Sequence, residues 1–276
     1  MKIGVSPTTI GLTVVAFGTS LPELVVTSEA FRRGDYAIGT GNLIGSNIAN
    51  IGLILALVAL LMPSVCSLPS SRPHLLRNAL LTLAATMVFA LFALRGFFDF
   101  ISGAVFLVIF SGMLYLLWRS GAGADPPSDF HSRYPLLLTV AGLGMVVIGA
   151  HLLLTGAVEI AEILSVPSAV IGLSLVAIGT SIPELATSTV AAIKKSPGIA
   201  VGNILGSNIF NLLFVLGINS LFFTIPVPDP KDILVMIGFT IGIFPLFIRR
   251  MCETRIWGGV LLCAYISYIV LLFVII

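Results

Sequence analysis

The chain has 276 residues, of which 58% are hydrophobic and only 9% charged, with a mean hydropathy of +1.13. A soluble domain carries roughly 25% charged residues, so this composition excludes a soluble protein and defines an all-α polytopic membrane protein. The net charge of +2 comes from basic residues in short loops that form no continuous stripe, so no nucleic-acid partner is expected. The cysteines Cys66, Cys252 and Cys263 are odd in number and scattered, which fits neither a disulfide framework nor a zinc site.

A bilayer core of roughly 30 Å needs about 20 apolar residues per helical crossing. In chain order, nine runs qualify: 8–31, 37–62, 75–95, 98–118, 134–163, 168–193, 199–224, 230–248 and 255–276. The first contains Gly18, Thr19, Ser20, Pro22 and Glu23, so it is not a cleavable signal peptide and stays in the membrane. If the chain starts in the cytoplasm, ten of the 14 Lys and Arg residues fall on the inside and only Arg32, Arg33, Arg95 and Lys231 outside. The positive-inside rule favours that orientation, with a cytoplasmic N-terminus and an external C-terminus.

Two polar blocks occur twice. Residues 11–24 read GLTVVAFGTSLPEL and 172–185 read GLSLVAIGTSIPEL, followed by GNLIGSNIAN at 41–50 and GNILGSNIFN at 202–211. Gly11 and Gly172, Glu23 and Glu184, and Asn50 and Asn211 are each 161 residues apart. One register held across two separated blocks indicates a duplicated unit. The unit spans five crossings, an odd number, so its copies run in opposite directions through the membrane. This is the inverted-repeat plan, with a site near the midplane where the copies meet. The halves divide as 1–125 and 126–276, joined by a Gly-, Pro- and Ser-rich linker at 119–133. The second half has a long apolar run ahead of its motif, whereas only ten residues precede Gly11, so one helix of a symmetric ten-helix plan is expected to be missing. Its absence would leave an uncovered face and retain cation binding with weak turnover.

The repeated motifs carry oxygen chemistry. Pro22 has no N–H and its ring crowds the Gly18 carbonyl, so the helix should kink and free carbonyl oxygens just before the carboxylate. Thr19 and Ser20 lie four and three residues before Glu23, which predicts hydroxyls and carboxylate on one helical face. Ser46 and Asn50, like Ser207 and Asn211, are four apart on one face. The glycine pairs Gly41/Gly45 and Gly202/Gly206 permit close helix approach, bringing Asn50 and Asn211 towards the glutamates. Carbonyl, hydroxyl and carboxylate oxygens suit a hard cation such as Na⁺ or Ca²⁺. No Lys or Arg lies mid-helix to pair with the glutamates, so a mobile cation or a proton is the expected counter-charge. Two carboxylates balance one Ca²⁺ or two Na⁺, which makes mutually exclusive binding natural. Other polar residues have ordinary roles: His151 an interhelical contact or proton handling, Glu159 and Glu162 an interfacial position, and His74 and His131 loop positions.

The paired GTSxPEL and GNxxGSNIxN blocks resemble the alpha repeats of the cation/Ca²⁺ exchanger superfamily, in the sodium/calcium exchanger family of short prokaryotic type. The resemblance implies two inverted five-helix halves and exchange of Ca²⁺ for Na⁺ by alternating access in a plasma membrane. It implies Glu23 and Glu184 as central carboxylates, with Thr19, Ser20, Thr180, Ser181, Ser46 and Ser207 as flanking donors. The backbone carbonyls of Ala16 and Ala177 join them, and Asn50 and Asn211 fill the remaining central positions. Some relatives carry Asp where this chain has Asn211, so potassium dependence is not implied. No cofactor is expected beyond the transported ions, and the partners are Ca²⁺, Na⁺ or H⁺ and the lipid bilayer.

The nearest rival is a H⁺/Ca²⁺ antiporter on the same helices, but the proton-coupled branch usually shows GNxxE in place of GTSxPE. A passive cation channel and a transport-inactive truncated membrane protein are further alternatives. An intramembrane hydrolase lacks a His or Asp beside the motif serines.

Overall fold

The computed structural model describes residues 11–63, 72–120, 165–194, 196–248 and 251–274, with scattered positions between 140 and 163. Six described helices are long and apolar enough to cross a membrane, and two further spans are bent pairs. The first pair is α1a (Gly11–Thr19) and α1b (Leu21–Arg33), followed by α2 (Tyr36–Leu61), α3 (Pro73–Ala93) and α4 (Phe100–Leu117). The second half runs through the pair α5a (Ser168–Thr180) and α5b (Ile182–Ile193), then α6 (Gly198–Ser220), α7 (Pro230–Phe247) and α8 (Glu253–Val274). Most of the fifth run, 134–163, with His151 and Glu162, lies outside the described residues, as do His131 and Cys66. Glu159 and His74 are exposed, and Cys263 is an exposed free thiol.

The kinks fall where proline demands them. α1a and α1b meet at 49° and α5a and α5b at 42°, with the break at Ser20 and Ser181. Pro22 and Pro183 sit in the first turn of the second segment, where a missing N–H costs nothing. The run 199–224 ends earlier than expected: α6 stops at Ser220, and Ile225–Pro226 forms a short strand. Both Pro226 and Pro228 oppose helix continuation there.

Contacts between helix ends fix which ends share a face. Phe97–Phe98, between α3 and α4, pairs antiparallel with Ile225–Pro226, between α6 and α7. Phe31, at the end of α1b, lies 6.5 Å from Phe223, and Gly172 in α5a meets the backbone of Ile38 in α2. At the opposite ends, Arg255 Nε donates to the Leu60 carbonyl at 3.0 Å and Gly11 meets the backbone of Ile199. Counting odd and even crossings from the sequence places each of these partners on a common side, as inverted halves require.

The core lies between the two motif regions. α2 and α6 are the most enclosed spans, at 83% and 89% buried, whereas α4 and α8 are at 22% and 17% and present Leu and Ile surface outward. α2 and α6 therefore form the centre and α4 and α8 the rim. An apolar groove of about 400 Å³ runs between α1a, α4 and α6, lined by Leu12, Phe17, Phe110, Met113, Phe210 and Phe214 among others. It opens along the first motif helix.

The α3–α4 loop is tied down by polar contacts. Asp99 caps α4, accepting from Ser102 N at 3.0 Å and Ser102 Oγ at 2.8 Å, and pairs with Arg95 at 3.0 Å. The Ser102 bonds, with the guanidinium beside them, lower the Asp99 carboxyl to about 2. A depressed carboxyl stabilises the fold at every pH above its ordinary value near 4, and that contribution is lost as pH falls through about 2. Asp99→Ala is expected to lower unfolding stability by about 1 kcal/mol, the usual worth of an N-cap, with no pH dependence between 5 and 8 in a detergent thermal melt.

Candidate functional site

Each motif break delivers its serine across the molecule. Ser20 Oγ donates to Glu184 Oε1 at 2.8 Å, and Ser181 Oγ donates to Glu23 Oε1 at 3.3 Å. The i, i+3 and i, i+4 spacing predicts hydroxyls on the same face as their own glutamate; instead each serine serves the glutamate of the other half. The helix is not continuous between serine and glutamate, so helical spacing ceases to govern the pair. Both glutamates are 0% exposed.

The exchange of partners runs through the whole cluster. Thr19 Oγ1 donates to Asn203 Oδ1 and Thr180 Oγ1 to Asn42 Oδ1, each at 3.0 Å. Asn42 Nδ2 donates to Thr27 Oγ1 at 2.9 Å and Asn203 Nδ2 to Ser188 Oγ at 3.1 Å. Every bond in this set maps onto its counterpart by the 161-residue offset. The sequence reading assigned no role to Asn42, Asn203, Thr27 or Ser188, although both asparagines stand inside the quoted blocks.

Two departures break the symmetry, at Ser46 against Ser207 and at Asn50 against Asn211. Ser207 Oγ donates to Glu184 Oε1 at 3.1 Å, whereas Ser46 lies 3.3 Å from Thr180 Oγ1 and 3.5 Å from the Ala177 carbonyl and Asn42 Oδ1. Asn50 Nδ2 donates to Asn208 Oδ1 at 2.9 Å. Asn211 is 0% exposed and neither of its amide atoms has a partner. The carbonyls of Ala16 and Ala177 accept from the backbone N–H of Ser20 and Ser181 at 3.0 and 3.1 Å and also lie near the threonine hydroxyls.

Glycine and irregular helix bring these groups together. A Cβ on Gly45 would stand 2.5 Å from the Leu173 carbonyl oxygen and 2.6 Å from Ala177 Cβ, and one on Gly206 would meet the Leu12 carbonyl at 2.6 Å and Ala16 Cβ at 2.8 Å. α2 thus lies directly on α5a, and α6 on α1a, backbone against backbone. Wide π-helical turns at Asn50–Leu55 and Phe210–Val215 interrupt α2 and α6, and further π-turns open α1a at Gly11–Val15 and occupy Gly172–Val176 in α5a. Such turns re-aim side chains and gather at functional sites. The one at Asn50 packs on α5b, which bears Glu184, and the one containing Asn211 on α1b, which bears Glu23.

Several acceptors are left over. Glu23 Oε2, Glu184 Oε2, Asn50 Oδ1 and Asn211 Oδ1 are buried without a hydrogen-bond partner. An ionised carboxylate held away from water costs several kcal/mol unless a counter-charge or hydrogen bonds compensate. Among the described residues, Arg32 and Arg33 pair with Glu29 and Arg95 with Asp99, at helix ends away from these glutamates. Two carboxylates, hydroxyls and amide oxygens in a closed space make a donor set for a hard cation. Gly45→Ala or Gly206→Ala would force the halves apart, and each is expected to cost about 1–3 kcal/mol of stability and to weaken Ca²⁺ binding, read by thermal melts with and without Ca²⁺.

The comparisons with known proteins agree with this architecture. The profile of the sodium/calcium exchanger protein family matches residues 1–119 and 134–274. Sodium/calcium exchanger MaX1 of Methanosarcina acetivorans is 31% identical over 99% of this chain and 90% of its own length. The inner membrane protein YrbG of Escherichia coli is 32% identical over 94% of this chain and 84% of its own. A solved structure of the sodium-calcium exchanger NCX_Mj, soaked with 2.5 mM Na⁺ and 0.1 mM Ca²⁺, superposes with a TM-score of 0.76 at 32% identity, covering 97% of this chain and 87% of that one. The chain belongs to the sodium/calcium exchanger protein family.

Proposed function

We propose that this protein is a sodium/calcium antiporter that moves Ca²⁺ across the plasma membrane in exchange for Na⁺ by alternating access. The observation that carries the reading is the pair of fully buried carboxylates, each with one oxygen held by a serine of the opposite half and the other without a partner. Family membership and the likeness to NCX_Mj support it.

The mechanism follows from charge and symmetry. Glu23 and Glu184 supply two negative charges, which one Ca²⁺ or two Na⁺ neutralise. Thr19, Ser20, Thr180, Ser181, Ser46, Ser207, Asn50 and Asn211, with the carbonyls of Ala16 and Ala177, supply neutral oxygens around them. An empty site keeps its carboxylates uncompensated in a medium of low dielectric, where charge interactions are large. A change of access without a cation aboard is therefore disfavoured, and the two ions compete for one place. That combination makes exchange rather than leak. The inverted halves give the site two equivalent routes, one towards each face. The face bearing Leu60 and Arg255 is assigned to the cytoplasm, on the excess of Lys and Arg in its loops.

In proteoliposomes with pH clamped on both sides, Ca²⁺ uptake should follow an outward Na⁺ gradient. Uptake driven only by a pH gradient would assign the protein to proton exchange instead, and Ca²⁺ flux with no counter-ion would make it a channel. Glu23→Gln and Glu184→Gln should each reduce Na⁺-driven uptake by at least 100-fold while the protein remains folded, since either removes about half of the compensating charge. Near-normal exchange by either variant would contradict the site assignment.

A further inference from the structure

Thr19 and Thr180 face a conflict that the rest of the site does not resolve. A hydroxyl has one proton and two lone pairs. To coordinate a cation the oxygen must turn a lone pair inward, so its proton must go elsewhere. Several acceptors surround it. Thr19 Oγ1 lies 3.4 Å from the Ala16 carbonyl and 3.0 Å from Asn203 Oδ1, and the adjacent Ser20 holds the Glu184 carboxylate beside the same helix break. Thr180 Oγ1 lies 3.3 Å from the Ala177 carbonyl, 3.3 Å from Ser46 Oγ and 3.0 Å from Asn42 Oδ1, and the adjacent Ser181 holds the Glu23 carboxylate beside its break. A proton given to the glutamate would cover a carboxylate lone pair and stand between two oxygens that a cation needs to bridge.

We propose that Asn42 and Asn203 are positioning residues for cation binding: each reaches across the junction of the halves and takes the hydroxyl proton of the opposite motif's threonine, leaving the threonine oxygen to offer lone pairs to the ion. Both asparagines are fully buried. Each carbonyl oxygen is aimed at the threonine because the amide nitrogen is engaged on the far side, by Thr27 at 2.9 Å for Asn42 and by Ser188 at 3.1 Å for Asn203. The orientation of one half's ion donor is thereby set by a side chain of the other half, so a shift of the halves that parts Asn203 from Thr19 would also release the proton towards Glu184 and weaken the site. The inference rests on the reading of Glu23 and Glu184 as the cation site.

The test is a double-mutant cycle on the full chain in detergent, with Ca²⁺ affinity measured by equilibrium binding in the absence of Na⁺ and unfolding temperature measured ion-free. Thr19→Val and Asn203→Leu are each expected to weaken Ca²⁺ binding about 10-fold, and the pair together also about 10-fold, because both remove one function. A loss near 100-fold in the double variant would mean that Asn203 acts through packing alone, and would overturn the proposal while leaving the cation site in place. Wild-type affinity in Thr19→Val would remove the threonine from the site and overturn the proposal; wild-type affinity in Glu184→Gln as well would overturn the reading beneath it. Asn42→Leu with Thr180→Val repeats the cycle in the other half, and Ser188→Ala, which frees the Asn203 amide to turn, replaces Asn203→Leu should the leucine variant fail to fold.

Discussion

Everything in this molecule is arranged around two buried carboxylates whose hydrogen-bond partners, among the described residues, are neutral serines. A lysine or arginine beside Glu23 and Glu184 would satisfy them permanently and end their usefulness. Serine hydroxyls satisfy one oxygen of each and leave the other open. The pair is therefore stable enough to fold around yet still in need of a mobile cation. The broken helices, the close glycine contacts and the π-turns can all be understood as means of bringing oxygen donors to these two groups within apolar surroundings, where irregular backbone survives only when buried in protein or lining a cavity.

The second organising constraint is that neither half completes a site alone. Ser20 and Thr19 of the first half bond to Glu184 and Asn203 of the second, and Ser181 and Thr180 return the arrangement. Relative movement of the halves would consequently change the proposed coordination shell itself rather than merely open a path to it. Among the described polar groups the symmetry is broken where Ser207 and Ser46 differ in their partners and where Asn50 is bonded and Asn211 is not.

Much of this was legible in the sequence because its signals are covalent or positional. Pro22 and Pro183 announce the helix breaks, which appear as bends of 49° and 42°. The constant offset announces the inverted repeat, and Gly45 and Gly206 announce the close approach that the structure shows against Leu173 and Leu12. The crossing of Ser20 to Glu184 was not legible, because helical spacing describes neighbours within one helix and says nothing once the helix is broken between them. The roles of Asn42 and Asn203 were hidden for a related reason: their partners are more than a hundred residues away, and an asparagine in a glycine-rich block reads equally well as packing. The duplicated N of each GN pair, held in register with Thr27 and Ser188, was the available signal. The π-turns at Asn50 and Phe210 have no marker of composition at all.

The central claim is that the halves jointly build one cation site. A crystal structure of the protein soaked in Ca²⁺, with the ion located by its anomalous scattering, tests that claim most directly. The account predicts one Ca²⁺ in contact with carboxylate oxygens of both Glu23 and Glu184. An ion bound wholly within one half, or at a position that touches neither glutamate, would contradict it.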